Sequence, residues 1–256
     1  MRLTLLGTGT SFGIPVIGCD CAVCRSTDPR DKRTRCAALI EVGGTTLLID
    51  TPPELRLQLL AAQVRKVDAA LFTHTHADHI AGIDDLRAFS DRTGDLPLYG
   101  SAETLRSLRT SHRYIFDDAM TVMQGTTKPR LGLHELTAGR VAQVAGVAVL
   151  PLAFPHGHAT VFGYRIGDVA YVTDVKEVPA EARAELRGLQ LLVLNALRWK
   201  PHPTHLSIDD AIAVVRDLAP ARTLFTHLTH DTGHAELAAQ LPAGVEPGYD
   251  GLTVEL

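Results

Sequence analysis

The sequence predicts an α/β fold of two similar β-rich halves with helices outside them. Short apolar runs recur along the chain, each closed by Gly, Thr, His or Asp. Stretches of helical spacing alternate with them. No linker, low-complexity run or short-period repeat divides the 256 residues, which are expected as one domain, 1–256.

Taken in order, Leu3–Leu6 reads as a buried strand entering the loop Gly7-Thr8-Gly9-Thr10. These glycines are too irregular for a dinucleotide fingerprint, and Pro15 and a Cys cluster follow where a helix would be needed. Ala37–Val42 and Thr45–Asp50 flank Gly43-Gly44 and predict a hairpin. Leu55–Ala62 predicts a helix opened by Pro52-Pro53. Ala69–Thr73 predicts a strand ending at His74, and His79–Phe89 a helix. Pro97–Tyr99 reads as a strand and Ala102–Leu108 as a helix. From Thr110 to Pro129 the pattern blurs, and a lid or insertion is expected at about 110–130, carrying Arg113, Tyr114 and Phe116.

The second half repeats the style of the first. Val147–Phe154, Val161–Ile166 and Val169–Thr173 are expected as strands, Ala180–Arg187 as a helix and Leu189–Leu194 as a strand. Ile208–Leu218 predicts a helix capped by Ser207, with Asp209 and Asp210 in its first turn. Arg222–Phe225 predicts a strand ending at Thr226-His227.

Composition excludes several classes. Hydrophobic residues at 45% and charged residues at 21% exclude a disordered chain. The longest apolar runs fall far short of the ~20 residues of a membrane span, and Met1–Gly7 lacks the features of an export signal, so a cytoplasmic protein is expected. With 25 Lys+Arg against 29 Asp+Glu, no extended nucleic-acid surface is expected.

Histidine stands out at 12 residues. His74-Thr75-His76-Ala77-Asp78-His79 puts three imidazoles and a carboxylate at a strand end that opens a helix. Alternate residues at a strand end aim two imidazoles into one space, while Asp78 and His79 fall on the turn beyond. Such a cluster is too costly to bury as ordinary core and suits Zn²⁺, Mn²⁺ or Fe²⁺. His156, Asp174 and His227 each follow a predicted strand. One alone carries little weight, but strand ends converge at one sheet edge. Three of the four cysteines, Cys19, Cys21 and Cys24, form a second cluster. They supply three thiolates where a tetrahedral Zn²⁺ takes four ligands, with Cys36 or His230 as the fourth.

The H-x-H-x-D-H motif, with His156, Asp174 and His227 beyond it, resembles the metallo-β-lactamase superfamily over most of the chain. Within it the chain looks most like the PhnP-type cyclic phosphodiesterases. The carriers are Leu3–Gly9, the G-C-x-C-x-x-C stretch Gly18–Cys24, His74–Arg87, Pro155–Gly157, Gly163-Tyr164 and His205-Leu206-Ser207. The resemblance implies an αββα four-layer sandwich. It implies that His74, His76 and His156 bind one metal, that Asp78, His79 and His227 bind a second, and that Asp174 bridges both. It also favours His230 as fourth ligand of a structural Zn²⁺ with Cys19, Cys21 and Cys24, leaving Cys36 as a small buried hydrophobe. His158, two residues after His156, takes a surface or supporting role.

The expected cofactors are therefore two divalent ions, Mn or Zn, and one structural Zn. The expected activity is hydrolysis of a small cyclic phosphodiester, a ribose cyclic phosphate or cyclic nucleotide, by a metal-bridging hydroxide. His205 is the candidate general acid, with Asp78 and Asp174 as the other catalytic residues. Asp50 is expected to orient a metal-binding His through its free ring N–H. Asp84 and Asp85 read as cap or ion-pair residues, and Arg198 and Lys200 as phosphate-binding or solvated cations. The alternatives are a nuclease of the same superfamily acting on RNA or DNA ends, a β-lactamase or thioesterase, and a non-catalytic metal-binding module. The expected partner is the small substrate, with no membrane, and the base rate for assembly is a homodimer.

Overall fold

The computed structural model describes residues 1–120 and 123–256. Its first sheet contains β1 (Arg2–Gly7), β2 (Ala37–Val42), β3 (Thr45–Ile49), β4 (Ala69–Leu71), β5 (Leu96–Gly100), β6 (Leu131–Glu135) and the C-terminal β14 (Thr253–Glu255), in the order β14-β1-β2-β3-β4-β5-β6. The second contains β7 (Ala142–Val144), β8 (Val147–His156), β9 (Ala159–Ile166), β10 (Val169–Val172), β11 (Leu191–Asn195), β12 (Arg222–Thr226) and β13 (Val245–Pro247), in the order β13-β12-β11-β10-β9-β8-β7. The β2–β3 turn uses Gly43 and Gly44 at φ 58° and 83°, a left-handed pair that only glycine adopts without strain.

Three apolar layers hold the molecule together. Between the sheets lie Leu3, Ile49, Leu71, Tyr164, Tyr171 and Val193. The first helix, α1 (Ala22–Arg25), is a single turn that carries Cys24. Outside the first sheet, α2 (Leu55–Ala61), α4 (Arg87–Thr93) and α5 (Ala102–Ser111) cover Phe72 and Leu98 with Leu59, Phe89, Leu105 and Leu108. Outside the second, α7 (Ala180–Glu185), α8 (Ile208–Leu218) and α9 (His234–Gln240) cover Leu192 and Leu194 with Ala182, Ile208, Ile212 and Leu237. Each large aliphatic side chain so buried stabilises the fold by about 1.5–3 kcal/mol. The layering is helix, sheet, sheet, helix, as the resemblance implies. Ser207 and Asp210 cap α8 reciprocally.

The single helix expected over His79–Phe89 is instead three pieces: α3 (Ala77–Ile80), a 3₁₀ turn at Ile83–Leu86, and α4. The break falls at Gly82, whose N–H donates to Thr51 O, and a Cβ there would collide with the Pro52 carbonyl. This close approach presses α3 against the end of β3. The strands β6, β7, β13 and β14, and α9, lie beyond the periodicity reading because most are short and half-exposed. In the lid region, α6 (Arg113–Phe116) buries Ile115 and packs Phe116 on the helix-side core. Tyr114 Oη donates to Asp84 Oδ1 at 2.5 Å, and Arg113 pairs with Asp117. The lid expectation extends over residues 121 and 122, which lie outside the described residues. No helix among the described residues is long and apolar enough to cross a membrane.

Candidate active site

The C-terminal ends of β3, β4, β8, β10 and β12 gather at one edge of the sandwich. Asp50 directly follows β3, His74 lies three residues past the end of β4, His156 ends β8, Asp174 lies two residues past the end of β10, and His227 directly follows β12. Two bonds join the sheets beneath them: Tyr164 Oη donates to Phe72 O at 2.6 Å, and Phe162 N to Thr73 O at 2.9 Å. Asp50, Asp174 and His227 all take left-handed φ, 62°, 60° and 58°. A non-glycine residue held there costs about 1–3 kcal/mol, and the sharp turn swings each side chain off its strand into the shared space.

The ligand atoms form overlapping sets, each within 4.8 Å: His74 with His76 and His156; His74 with His79 and Asp174; Asp78 with His79 and His227; His156 with Asp174 and His205. Asp174 is central. Its Oδ2 lies 3.1 Å from His79 Nε2, and its Oδ1 lies 3.0 Å from His227 Nε2 and 2.9 Å from His205 Nε2. Thr173 Oγ1 donates to Oδ2 at 2.8 Å. His76 is exposed while His74, His79, His156 and His227 are buried, so the cluster opens to solvent on the His76 side.

The electrostatics favour a cation here. Burial keeps His74 well below its usual range and pushes His227 down to about 4, so both are neutral, the form with a free lone pair. Burial opposes charge on His79 too, but the Asp174 and Asp50 carboxylates hold its pKa well above normal. These carboxylates thus demand positive charge beside the His79 ring. The buried Nε2 atoms of His74 and His79 have no hydrogen-bond partner, although His79 Nε2 lies 3.1 Å and 3.3 Å from carboxylate oxygens of Asp174 and Asp78. Unpaired imidazole nitrogens converging with carboxylates fit one or more divalent ions.

The surrounding groups fix the rings. Asp50 Oδ2 lies 2.7 Å from His79 Nδ1 and also receives Thr73 Oγ1, while Oδ1 receives Thr73 N. His156 Nδ1 faces Thr204 O at 3.0 Å. His205 Nδ1 lies 2.9 Å from Thr204 Oγ1 and 3.1 Å from His202 Nδ1. Thr73, Thr204 and His202 were not singled out from sequence as supports. Nor was the role of Cys36: it is buried as expected, but its Sγ lies 3.3 Å from Thr226 Oγ1 and 3.6 Å from His227 Nδ1, beneath that ring. His158 is exposed in the β8–β9 turn, Asp84 pairs with Arg87, and Lys200 is exposed.

Cys19, Cys21 and Cys24 converge on His230, whose Nδ1 lies 3.4, 3.3 and 3.4 Å from the three Sγ atoms. The Cys24 N–H, then His230, lowers the Cys21 thiol to about 6, while burial raises Cys24 to about 11. Cys36 is not part of this group. Three thiols around one imidazole nitrogen have the make-up of a closed Zn²⁺ site.

A family model described as a β-lactamase superfamily domain matches residues 45–228. A solved structure described as a new diphosphatase from the PhnP family is 41% identical and superposes with a TM-score of 0.91, covering 99% of this chain and 97% of that one. A protein named octanoyltransferase from Porphyromonas gingivalis is 40% identical over 255 residues, 98% of this chain and 51% of that protein. The chain thus spans about half the length of that relative. A ribonuclease Z from Mycobacterium sp. (strain KMS) is 30% identical over 213 residues, 77% of this chain and 69% of that protein.

Proposed function

This chain belongs to the metallo-β-lactamase superfamily, and from that premise we propose that this hydrolase is a metal-dependent phosphodiesterase acting on a small cyclic phosphodiester. The single observation that carries the reading is Asp174, whose two oxygens face His79 on one side and His227 and His205 on the other. That placement suits two ions side by side: His74, His76 and His156 would hold one, Asp78, His79 and His227 the other, and Asp174 both. Mn or Zn bound there would supply Lewis acidity, activating water and offsetting charge on the phosphoryl oxygens. Cys19, Cys21, Cys24 and His230 would hold a structural Zn that staples the N-terminal loop to the chain just beyond His227.

The chain's own groups supply the proton. His205 Nε2 is hydrogen-bonded to Asp174 Oδ1, and Thr204 and His202 fix its other ring nitrogen. His205 therefore holds a proton at the edge of the ion cluster, where an alkoxide would leave. The named diphosphatase activity of the 41%-identical relative favours phosphorus as the reacting centre. The formal charge of −4 favours a small substrate over a polymer.

A second reading, a nuclease acting on RNA ends, draws on the 30%-identical ribonuclease Z. Mn²⁺-loaded protein given a cyclic mononucleotide and a 5′-labelled oligonucleotide separates the two. Opening of the cyclic ester alone supports the first reading, and trimming of the oligonucleotide alone supports the second. Bound metal with turnover of neither leaves a non-catalytic module.

A further inference from the structure

The buried imidazoles of the cluster each turn one nitrogen away from it. For His79, His74 and His156 that nitrogen meets oxygen: Nδ1 lies 2.7 Å from Asp50 Oδ2, 3.0 Å from Thr73 Oγ1 and 3.0 Å from Thr204 O, respectively. His227 departs from the pattern. Its Nδ1 faces sulfur, Cys36 Sγ at 3.6 Å, and no other group among the described residues bonds it.

Cys36 directly precedes β2 and His227 directly follows β12, so this contact joins the two sheets. The thiol is buried, with Gly9 O and Thr226 Oγ1 as its other neighbours, each at 3.3 Å. A thiol has one weak proton to give and lone pairs to receive with. Gly9 O can only accept, so the S–H turns there. The sulfur lone pairs are left toward Thr226 Oγ1 and His227 Nδ1. Cys36 thus receives the Nδ1–H of His227, which leaves Nε2 unprotonated and 3.0 Å from Asp174 Oδ1. Two acceptors at that distance fit ligands of one ion.

The backbone alone does not fix the ring. Leu228 N bonds Thr8 O, and Thr10 N bonds Leu228 O, which pins the chain beside His227 at its left-handed φ of 58°. These bonds set where the side chain starts, and its own torsions still set the plane of the imidazole.

We propose that Cys36 is a positioning residue, whose sulfur holds the His227 ring in the tautomer and plane in which Nε2 binds the ion of the Asp78, His79 and His227 set. The proposal rests on the paired-ion reading for that ion. Cys36 touches neither the ion nor the substrate and acts through His227. It stands to His227 as Asp50 stands to His79, with a thiol in place of a carboxylate.

The test compares wild type with Cys36→Ala, which removes the acceptor, and Cys36→Ser, which keeps one on a shorter bond. Each metal-free protein is titrated with Zn²⁺ against a chromophoric chelator. Cys36→Ala is expected to lose about tenfold in one active-site affinity, the low end for a ring that loses its partner, and to keep the thiolate-bound ion. Cys36→Ser should recover part of that loss. Urea unfolding of the metal-free proteins reads packing separately. If the sulfur only fills space, Cys36→Ala unfolds more easily yet binds Zn²⁺ as wild type does, and the proposal fails. Equal affinity losses in the two variants also overturn it, since the acceptor would then make no difference. Should Cys36→Ala not fold, long-range ¹H–¹⁵N spectra of Zn²⁺-loaded wild type and Cys36→Ser decide. The Nδ1–H signal of His227 should move between them while those of His79 and His156 stay, and an unmoved His227 signal overturns the proposal. Wild type that takes up only the thiolate-bound ion would remove the paired-ion reading itself. Wild type that loads fully, with variants that match it, removes only the role of Cys36.

Discussion

Asp50 Oδ2 and His79 Nδ1 lie 2.7 Å apart, and both side chains are fully buried. Asp50 makes three such contacts, with His79, Thr73 Oγ1 and Thr73 N. A carboxylate accepts all three, whereas an amide has one acceptor oxygen and must turn a donor toward one of them. Asp50→Asn should therefore weaken metal binding at the Asp78, His79 and His227 set by about 10–100-fold. It should also cost about 1–3 kcal/mol of stability through the group left unpaired. Competitive metal titration and urea unfolding measure the two effects. Wild-type affinity in the variant would show that Asp50 does not orient His79.

His205 is within ligand distance of His156 and Asp174, so a metal-binding role and an acid role make different predictions. As the acid, His205→Ala keeps its metals and loses about 10²–10⁴-fold in turnover of a diester with an alkoxide leaving group. The loss should be much smaller for p-nitrophenolate, which departs without a proton. Equal losses on both substrates, or a metal lost with the ring, would remove the acid assignment.

Much of this site was legible because strand ends announce themselves. Apolar runs that stop at His74, Asp174 and His227 mark side chains at one edge, and the fold brings those ends together. What periodicity could not carry was the supporting layer. Thr204 acts partly through its backbone carbonyl, and His202 acts from a half-exposed loop. A usable signal existed: Thr73, Thr173, Thr204 and Thr226 immediately precede His74, Asp174, His205 and His227. In the structure their hydroxyls bond the site residue itself or a group packed on it. The broken helix after Asp78 was hidden for another reason. Its cause is a tertiary contact of Gly82 with Pro52, which no local pattern encodes.

The two clusters should empty independently. Elemental analysis of the purified protein is expected to give about three metals per chain, one structural and two at the active site. Cys24→Ser should remove one, leave the active-site pair loaded, and destabilise the loop that carries Cys19 and Cys21. His76→Ala should lower the count while keeping the thiolate-bound ion. A wild-type total near one would leave only the Cys19, Cys21, Cys24 and His230 site filled and would contradict a paired-ion centre.

Acid sensitivity should trace in part to a histidine away from both clusters. His234 packs edge-on to Tyr249, with ring centroids 5.5 Å apart. Burial, then the Arg33 and Arg30 charges, pushes its pKa down from 6.5 to about 4. In the unfolded chain it returns to about 6.5. Between those values the unfolded state holds the extra proton, so stability falls as pH drops from about 6.5 to about 4 and is unaffected above that window. At about 1.4 kcal/mol per pH unit, the most this residue removes is about 3 kcal/mol. His234→Gln cannot take the proton, so the gap between variant and wild type should shift toward the variant on going from pH 7 to pH 4.5. Urea unfolding of both proteins side by side measures that gap, and common losses such as metal release cancel in the difference. A gap that stays constant across this range would mean that His234 titrates alike in the folded and unfolded chains, and that burial at this position costs the proton nothing.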